Sequence, residues 1–342
     1  MDAAQGWDVW FMHDDLVLGL LELRTVADDL QQGAHLGSLA DSWRRATLAK
    51  HLREHLALKG LPSLDILHEA GTLKDGALVW IEQAFAFRGL ADALRKGGSS
   101  GTGRATFSAR LQTDRSFKVA GSFSAHRITS SSAPEWLSGT KRQFIVAYVE
   151  KADSDSVTLR PLVIASRYLR YAGVPVEVRL SDYFRLWPSM VDQWREVNFN
   201  QKAKVEHLQA LKAIPERIVK EALAQSLGEI SIANDWGGEQ FDLWTDRLTV
   251  EGRALRTAFL LKGPGQFKPM TIAVLGKNGD QIDRIASSAA DLIVVQHCHE
   301  ITAPVENMLR VYATQPGRER FYMLVNGYAT WCLLNHFGAV GA

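Results

Sequence analysis

The spacing of apolar residues predicts helices in the first part of the chain. Leu16, Leu20 and Leu23 recur at three- and four-residue intervals, the period of a helix that buries one face. A further helix is predicted over Ala77–Leu94, where apolar residues are dense. We therefore expect residues 1–96 to form a helical N-terminal region.

The period changes to two after a glycine- and serine-rich stretch, GGSSGTG, at residues 97–103. This stretch has the composition of a flexible linker, so it predicts a domain boundary. The segments ATFSARLQ and FKVAGSFS then predict one hairpin, and Gln143–Glu150 with Val157–Ala165 predict another. Pro161 cannot donate a ladder hydrogen bond, so the last strand should be an edge strand or carry a bulge. Residues 104–171 are thus expected to form a small antiparallel β module.

Helical spacing returns after residue 171, which predicts a helical connector over residues 172–212. Residues 213–342 then alternate between strand and helix patterns. This alternation predicts a mixed sheet flanked by helices, so the fold class is α/β in this part and α+β overall. The predicted strands of this sheet are Gln240–Thr245, Leu255–Lys262 and the continuous apolar run Asp291–Val295, which is typical of a buried parallel strand.

Composition changes this outline little. The chain has 342 residues, 46% hydrophobic and 23% charged, with a net charge of +1, so overall charge does not indicate a strongly basic nucleic-acid binder. Two cysteines, Cys298 and Cys332, suggest a reducing compartment without structural disulfides. No apolar run reaches the length of a membrane span and the N-terminus lacks a signal-peptide pattern. A cytoplasmic protein with no membrane partner is expected.

An acidic residue and a lysine follow one another on the first two predicted strands of the C-terminal sheet. Asp242 lies on one strand and Lys262 ends the next, twenty residues later. This order resembles the core of the PD-(D/E)XK nuclease superfamily, in which an Asp and a Glu-x-Lys gather at one sheet edge. The resemblance covers the last third of the chain and implies a restriction-endonuclease-like sheet.

The resemblance implies metal-dependent hydrolysis of a nucleic-acid phosphodiester, DNA in particular. Asp242 would hold Mg²⁺ or Mn²⁺ and Lys262 would position the attacking water. Leu260 stands where the family places the Glu of Glu-x-Lys. Another acid must then complete the metal site, and Glu239 and Glu229 are the candidates that we favour.

The resemblance also suggests a biological setting and a second function. Such nucleases occur in prokaryotic restriction and anti-phage systems, so a partner protein of a defence complex or a second copy of the chain is expected. Because Leu260 removes a carboxylate, the alternative is a binding subunit without catalysis, built on a degenerate nuclease fold.

Polar residues elsewhere predict further contacts with substrate. Gln296 ends the buried strand, where α/β sheets usually place their sites, and is a candidate catalytic residue. Two groups of residues could contact nucleic-acid phosphates, the helix face Lys277, Gln281 and Arg284 and the β-module pair Arg110 and Lys118. An ordinary solvated surface also explains each group, so both interpretations stay open.

Overall fold

The computed structural model describes most of the chain. The described residues are 3–21, 23–32, 40–96, 103–171, 177–179, 183–201, 204–229, 241–275 and 280–339. The chain packs into two compact units, Met1–Tyr183 with Gln315–Arg318, and Phe184–Thr314 with Glu319–Ala342. None of the helices in the described ranges is long and apolar enough to cross a membrane.

The described residues of the first unit form seven strands and several helices. In chain order these elements are β1 (Ala3–Met12), α1 (Asp14–Leu20), α2 (Leu23–Gln32), α3 (Ala40–Lys59), α4 (Leu64–Glu69), β2 (Leu78–Arg88), α5 (Leu90–Lys96), β3 (Arg104–Arg110), β4 (Lys118–Ser124), α6 (Ala133–Trp136), β5 (Gly139–Ala152), β6 (Ser156–Tyr171) and β7 (Glu177–Arg179).

Five of these strands close into a barrel. The ring runs β2–β3–β4–β6–β5 and returns to β2. The β4–β6 pair is parallel and the other four pairs are antiparallel. Strands β1 and β7 pair with the second half of β6 and are not part of the ring. Closure leaves few unpaired strand edges in a sheet of this size.

Alternating apolar residues fill the barrel. The rings of Phe85, Phe87, Phe107 and Phe123 are buried and contact one another, with centroid distances of 5.5 Å between Phe85 and Phe107 and 6.3 Å between Phe87 and Phe123. Both predicted hairpins, β3–β4 and β5–β6, are confirmed. The predicted bulge is confirmed as well, because the β5–β6 register shifts at Pro161, where β6 passes from β4 to β1.

The helical prediction for residues 1–96 is wrong at two strands. The segment Ala3–Met12 is β1, and β2 occupies most of the helix predicted over Ala77–Leu94. Within β2 the residues Val79, Ile81, Gln83, Phe85 and Phe87 are buried, at intervals of two. This period is hard to recognise in the sequence because apolar residues also occupy positions between them. The boundary predicted at residues 97–103 therefore separates two strands, β2 and β3, that pair with each other.

The second unit is a mixed sheet with helices. Its elements in chain order are β8 (Arg185–Leu186), α7 (Val205–Leu211), α8 (Glu216–Ser226), β9 (Leu243–Thr245), β10 (Thr249–Val250), β11 (Arg253–Ala254), β12 (Thr257–Lys262), α9 (Asp280–Ala286), β13 (Leu292–His297), α10 (Ala303–Ala313), β14 (Phe321–Val325) and α11 (Gly327–His336). Within the predicted helical connector over 172–212, the described residues include β7, β8 and two 3₁₀ turns, Pro188–Met190 and Asp192–Trp194, and helix α7 begins at Val205.

The sheet of the second unit has the order β8–β14–β13–β12–β9. The first four strands run parallel and β9 is antiparallel to β12 at the edge. All six residues of β13 are buried, which confirms the predicted buried parallel strand. Helix α8 follows Pro215 and buries Val219, Ala222 and Leu223 in the core that α7, α11 and the sheet share. The architecture is thus mixed α and β, as the sequence predicts.

Candidate metal and nucleic-acid sites

The carboxylate of Asp242 binds the backbone of β12. Asp242 precedes β9, and its N–H donates to the carbonyl of Phe259 at 2.9 Å. Its Oδ2 accepts from the N–H of Leu261 at 2.6 Å. Because Leu261 directly precedes Lys262, the fold brings the predicted acid to within one residue of the predicted lysine.

Lys262 is the last residue of β12 and is half-buried. Alternation along a strand places its side chain on the same sheet face as Leu260, which is 4% exposed. The position that would carry the family's glutamate is therefore an apolar residue packed in the core. A carboxylate that completes a metal site must come from another element.

Glu216, which was not predicted from the sequence, brings a carboxylate to the backbone beside Lys262. Glu216 is the first residue of α8, and its Oε2 accepts from the N–H of Gly263 at 2.6 Å. A Cβ on Gly263 would lie 2.6 Å from the Cβ of Glu216, so the glycine is needed for this approach. Two carboxylates, those of Asp242 and Glu216, thus bind the amides on either side of Lys262. The sequence signal is an acid just after Pro215 and a glycine just after the lysine.

Glu229, predicted as a metal ligand, is engaged elsewhere. It accepts from the Thr245 hydroxyl at 2.5 Å and lies 3.8 Å from the Arg247 guanidinium. Thr245 pairs with Thr257 at the start of β12, about 16 Å along the strand from Lys262. Glu239, the other predicted ligand, lies outside the described residues.

Gln296 is also not brought together with Lys262. It is fully buried, and its amide nitrogen donates to the Thr330 hydroxyl of α11 at 3.0 Å. Alternation places Gln296 and Lys262 on opposite faces of the sheet, because Lys262 pairs with His297. The contact of Gln296 with Thr330 instead joins β13 to α11.

The residues after Gln296 contact backbone carbonyls at the end of β12 and in the loop that follows it. His297 is buried, with Nε2 2.9 Å from the Lys268 carbonyl oxygen and Nδ1 3.3 Å from that of Lys262. The Cys298 N–H donates to the same Lys262 carbonyl at 3.3 Å. Burial raises the pKa of the Cys298 thiol to about 11, so this cysteine is a poor nucleophile near neutral pH.

The helix face that was predicted to contact nucleic-acid phosphates is partly buried. Lys277 lies outside the described residues. Gln281 and Arg284 are half-buried on α9, and Gln281 Oε1 and Arg284 Nε are themselves shielded from solvent. The structure therefore places Gln281 and Arg284 partly inside the unit rather than on a fully exposed face.

Arg110 and Lys118 lie directly opposite each other on the outside of the barrel. They form a register pair at one end of the β3–β4 hairpin. Both side chains are exposed, and Arg104 is exposed at the other end of β3. Lys118 lies 3.7 Å from Asp155, and Arg110 donates to the Ser116 carbonyl at 2.6 Å. This hairpin face carries hydroxyl and cationic side chains, the types that contact phosphates.

Among the described residues, no group of three or more histidine, cysteine, aspartate or glutamate side chains is arranged to hold a metal ion. No protein-family model, no curated protein and no solved structure matches the chain. Functional assignment therefore depends on the geometry of the sites themselves.

Proposed function

We propose that the chain is a metal-dependent nuclease that hydrolyses nucleic-acid phosphodiesters, DNA in particular, with Asp242, Lys262 and Glu216 at its centre. The observation that supports the proposal is a pair of carboxylates beside Lys262. Asp242 Oδ2 lies 2.6 Å from the amide nitrogen of the preceding residue, and Glu216 Oε2 lies 2.6 Å from that of the following residue. The antiparallel β9–β12 pair followed by parallel β13 and β14 also agrees with a restriction-endonuclease-like sheet.

The donor set fits Mg²⁺ or Mn²⁺ rather than a softer metal. Mg²⁺ is commonly held by one or two carboxylates and keeps several waters, so Asp242 and Glu216 suffice. A bound ion would supply Lewis acidity and a more acidic water. Glu216 would then supply the carboxylate that the family has at the position of Leu260, and Glu229 would not be a ligand.

The chain's own residues would orient the reactants. The backbone amides of Leu261 and Gly263 fix one oxygen of each carboxylate, which reduces the freedom of these side chains before substrate binds. Lys262 lies between these amides and would stabilise negative charge on the phosphoryl oxygens or position the attacking water.

Nucleic acid is the proposed partner of the barrel as well. Small five-stranded Greek-key barrels of the OB type bind oligonucleotides on the face of their second and third strands. In this barrel those strands are β3 and β4, which carry Arg110 and Lys118. This step is a fold-level analogy that the exposed cations support.

A cleavage assay tests the proposal. Plasmid, linear and single-stranded substrates are incubated with the full chain in Mg²⁺, in Mn²⁺ and in EDTA. We expect metal-dependent cleavage that Asp242→Asn, Glu216→Gln and Lys262→Ala each lower by about 100-fold or more. Asn and Gln can still accept from the Leu261 and Gly263 amides, so folding is preserved. Mn²⁺ binding, measured by calorimetry, should weaken in Asp242→Asn and Glu216→Gln.

Glu229→Gln is the matched control and should cleave like the wild type. Loss of cleavage in Glu229→Gln but not in Glu216→Gln would restore Glu229 as the metal ligand and refute our assignment. Nucleic-acid binding without cleavage in any metal would instead favour the non-catalytic binding subunit, which the buried Leu260 also fits.

A further inference from the structure

The second unit contains a cavity that none of the predicted site residues within the described ranges lines. Its volume is about 450 Å³, within the roughly 300–1,000 Å³ of small-molecule sites. It lies beside Leu324 near the end of β14, Asn326 before α11, and Arg185 of the neighbouring strand β8. The crevice outside the carboxyl ends of parallel strands is the usual ligand position in α/β sheets.

Aromatic side chains form much of the cavity wall. They include Trp187, Tyr328 and Trp331, and the His207 ring stacks on Trp331 with centroids 3.7 Å apart and planes within 3°. Trp187 is 51% exposed, which is unusual for so large an apolar ring. Such rings offer flat surfaces on which another planar ring can stack.

A charged pair adds a polar edge to this wall. The Arg185 guanidinium lies 3.9 Å from the centroid of the Trp187 ring and forms an ion pair with Glu306 of α10. Arg185 Nε is buried and has no hydrogen-bond partner within the described part of the chain. A donor, Arg185, thus stands beside an acceptor, Glu306, at the border of an aromatic surface.

We propose that this cavity binds a nucleobase, stacked on Trp187 and read along its polar edge by Arg185 and Glu306. Nucleobases are planar and present hydrogen-bond donors beside acceptors, which matches both parts of the wall. The inference does not rest on the proposed hydrolysis, because Asp242, Lys262 and Glu216 do not line the cavity. The same base chemistry is offered by a mononucleotide and by an unstacked base of a single strand.

Calorimetric titration of the full chain in EDTA tests the proposal, with cleavage suppressed. The probes are the four nucleoside monophosphates, a single-stranded hexanucleotide and its abasic counterpart. We expect saturable binding of a monophosphate or of the hexanucleotide, with the abasic strand bound at least tenfold more weakly than the hexanucleotide. Trp187→Ala should weaken binding by about tenfold or more.

Two further variants separate recognition from general effects. Trp43→Ala removes another exposed tryptophan, 42% exposed on α3, and should bind like the wild type. Glu306→Gln replaces a pure acceptor by an amide and should change the ranking among the four bases. Monophosphate binding would identify a mononucleotide site, and binding of the hexanucleotide alone would identify a strand site. Absence of both, or wild-type binding by Trp187→Ala, would overturn the proposal.

Discussion

At the scale of single residues, a few buried polar groups have well-defined environments. Asp65 on α4 is 4% exposed and accepts from the Thr113 hydroxyl at 2.9 Å. Burial disfavours its charged form and raises its pKa from 3.8 to about 6, although the Thr113 contact acts in the opposite direction. The carboxylate of Asp65 therefore opposes folding once it ionises.

The sign of this effect predicts the pH dependence of Asp65→Asn. Between about pH 4 and pH 6 folded Asp65 binds more protons than unfolded Asp65, so its contribution to stability falls as pH rises. Asn keeps an acceptor for Thr113 and does not titrate. The stability of the variant relative to the wild type should therefore rise from pH 4 to pH 6, by up to about 3 kcal/mol, and stay constant above that. Urea unfolding at several pH values measures this difference, and a difference independent of pH would contradict it.

At the scale of elements, the barrel depends on close packing between neighbouring strands. Gly121 on β4 lies between the Phe107 ring of β3 and the Leu159 carbonyl of β6. A Cβ at this position would lie 2.3 Å from the ring and 2.5 Å from the carbonyl oxygen. The parallel β4–β6 pair, which closes the ring, therefore requires glycine at this point.

Gly121→Ala should destabilise the protein by about 1–3 kcal/mol, because the ring and the neighbouring strand must move apart. Gly19→Ala is the matched control, since nothing lies within 4 Å of a Cβ at Gly19 on α1. Helix propensity predicts an unchanged or slightly higher stability for this control. Thermal unfolding of both variants compares them, and equal midpoints for Gly121→Ala and the wild type would refute the packing argument.

At the scale of the whole molecule, net charge contributes little to nucleic-acid binding. The formal charge is +1, so electrostatic affinity must come from local groups of cations. The exposed pair Arg110 and Lys118 is such a group. The logarithm of the association constant K falls linearly with the logarithm of salt concentration, and each phosphate contact should make this negative slope steeper by about one.

The double variant Arg110→Gln, Lys118→Gln should therefore reduce the magnitude of this slope by about two and weaken binding at low salt. Lys59→Gln, at an exposed position at the end of α3, removes a cation that is not part of the β3–β4 hairpin and should leave the slope unchanged. Binding to a fluorescent oligonucleotide at several salt concentrations gives the slopes. Equal slopes for the double variant and the wild type would exclude this hairpin face as the contact surface.

The sequence alone determined the features that depend on local pattern. The β3–β4 and β5–β6 hairpins, the bulge at Pro161 and the buried strand β13 follow from side-chain periods and from proline's missing N–H. The sequence also predicted that Asp242 and Lys262 lie close together, although Asp242 itself lies just before β9 and the strands β10 and β11 intervene between β9 and β12.

Tertiary structure alone decided the features that depend on distant segments. β2 is a strand because it pairs with β5 and β3, and barrel closure brings β4 beside β6. Glu216 meets Gly263 only because α8 packs against the end of β12, whereas Glu229 is drawn to Thr245 and Arg247. Periodicity reports which face of an element is buried, but not which other element covers it. The choice of partner is fixed by packing and backbone hydrogen bonds between segments far apart in the chain.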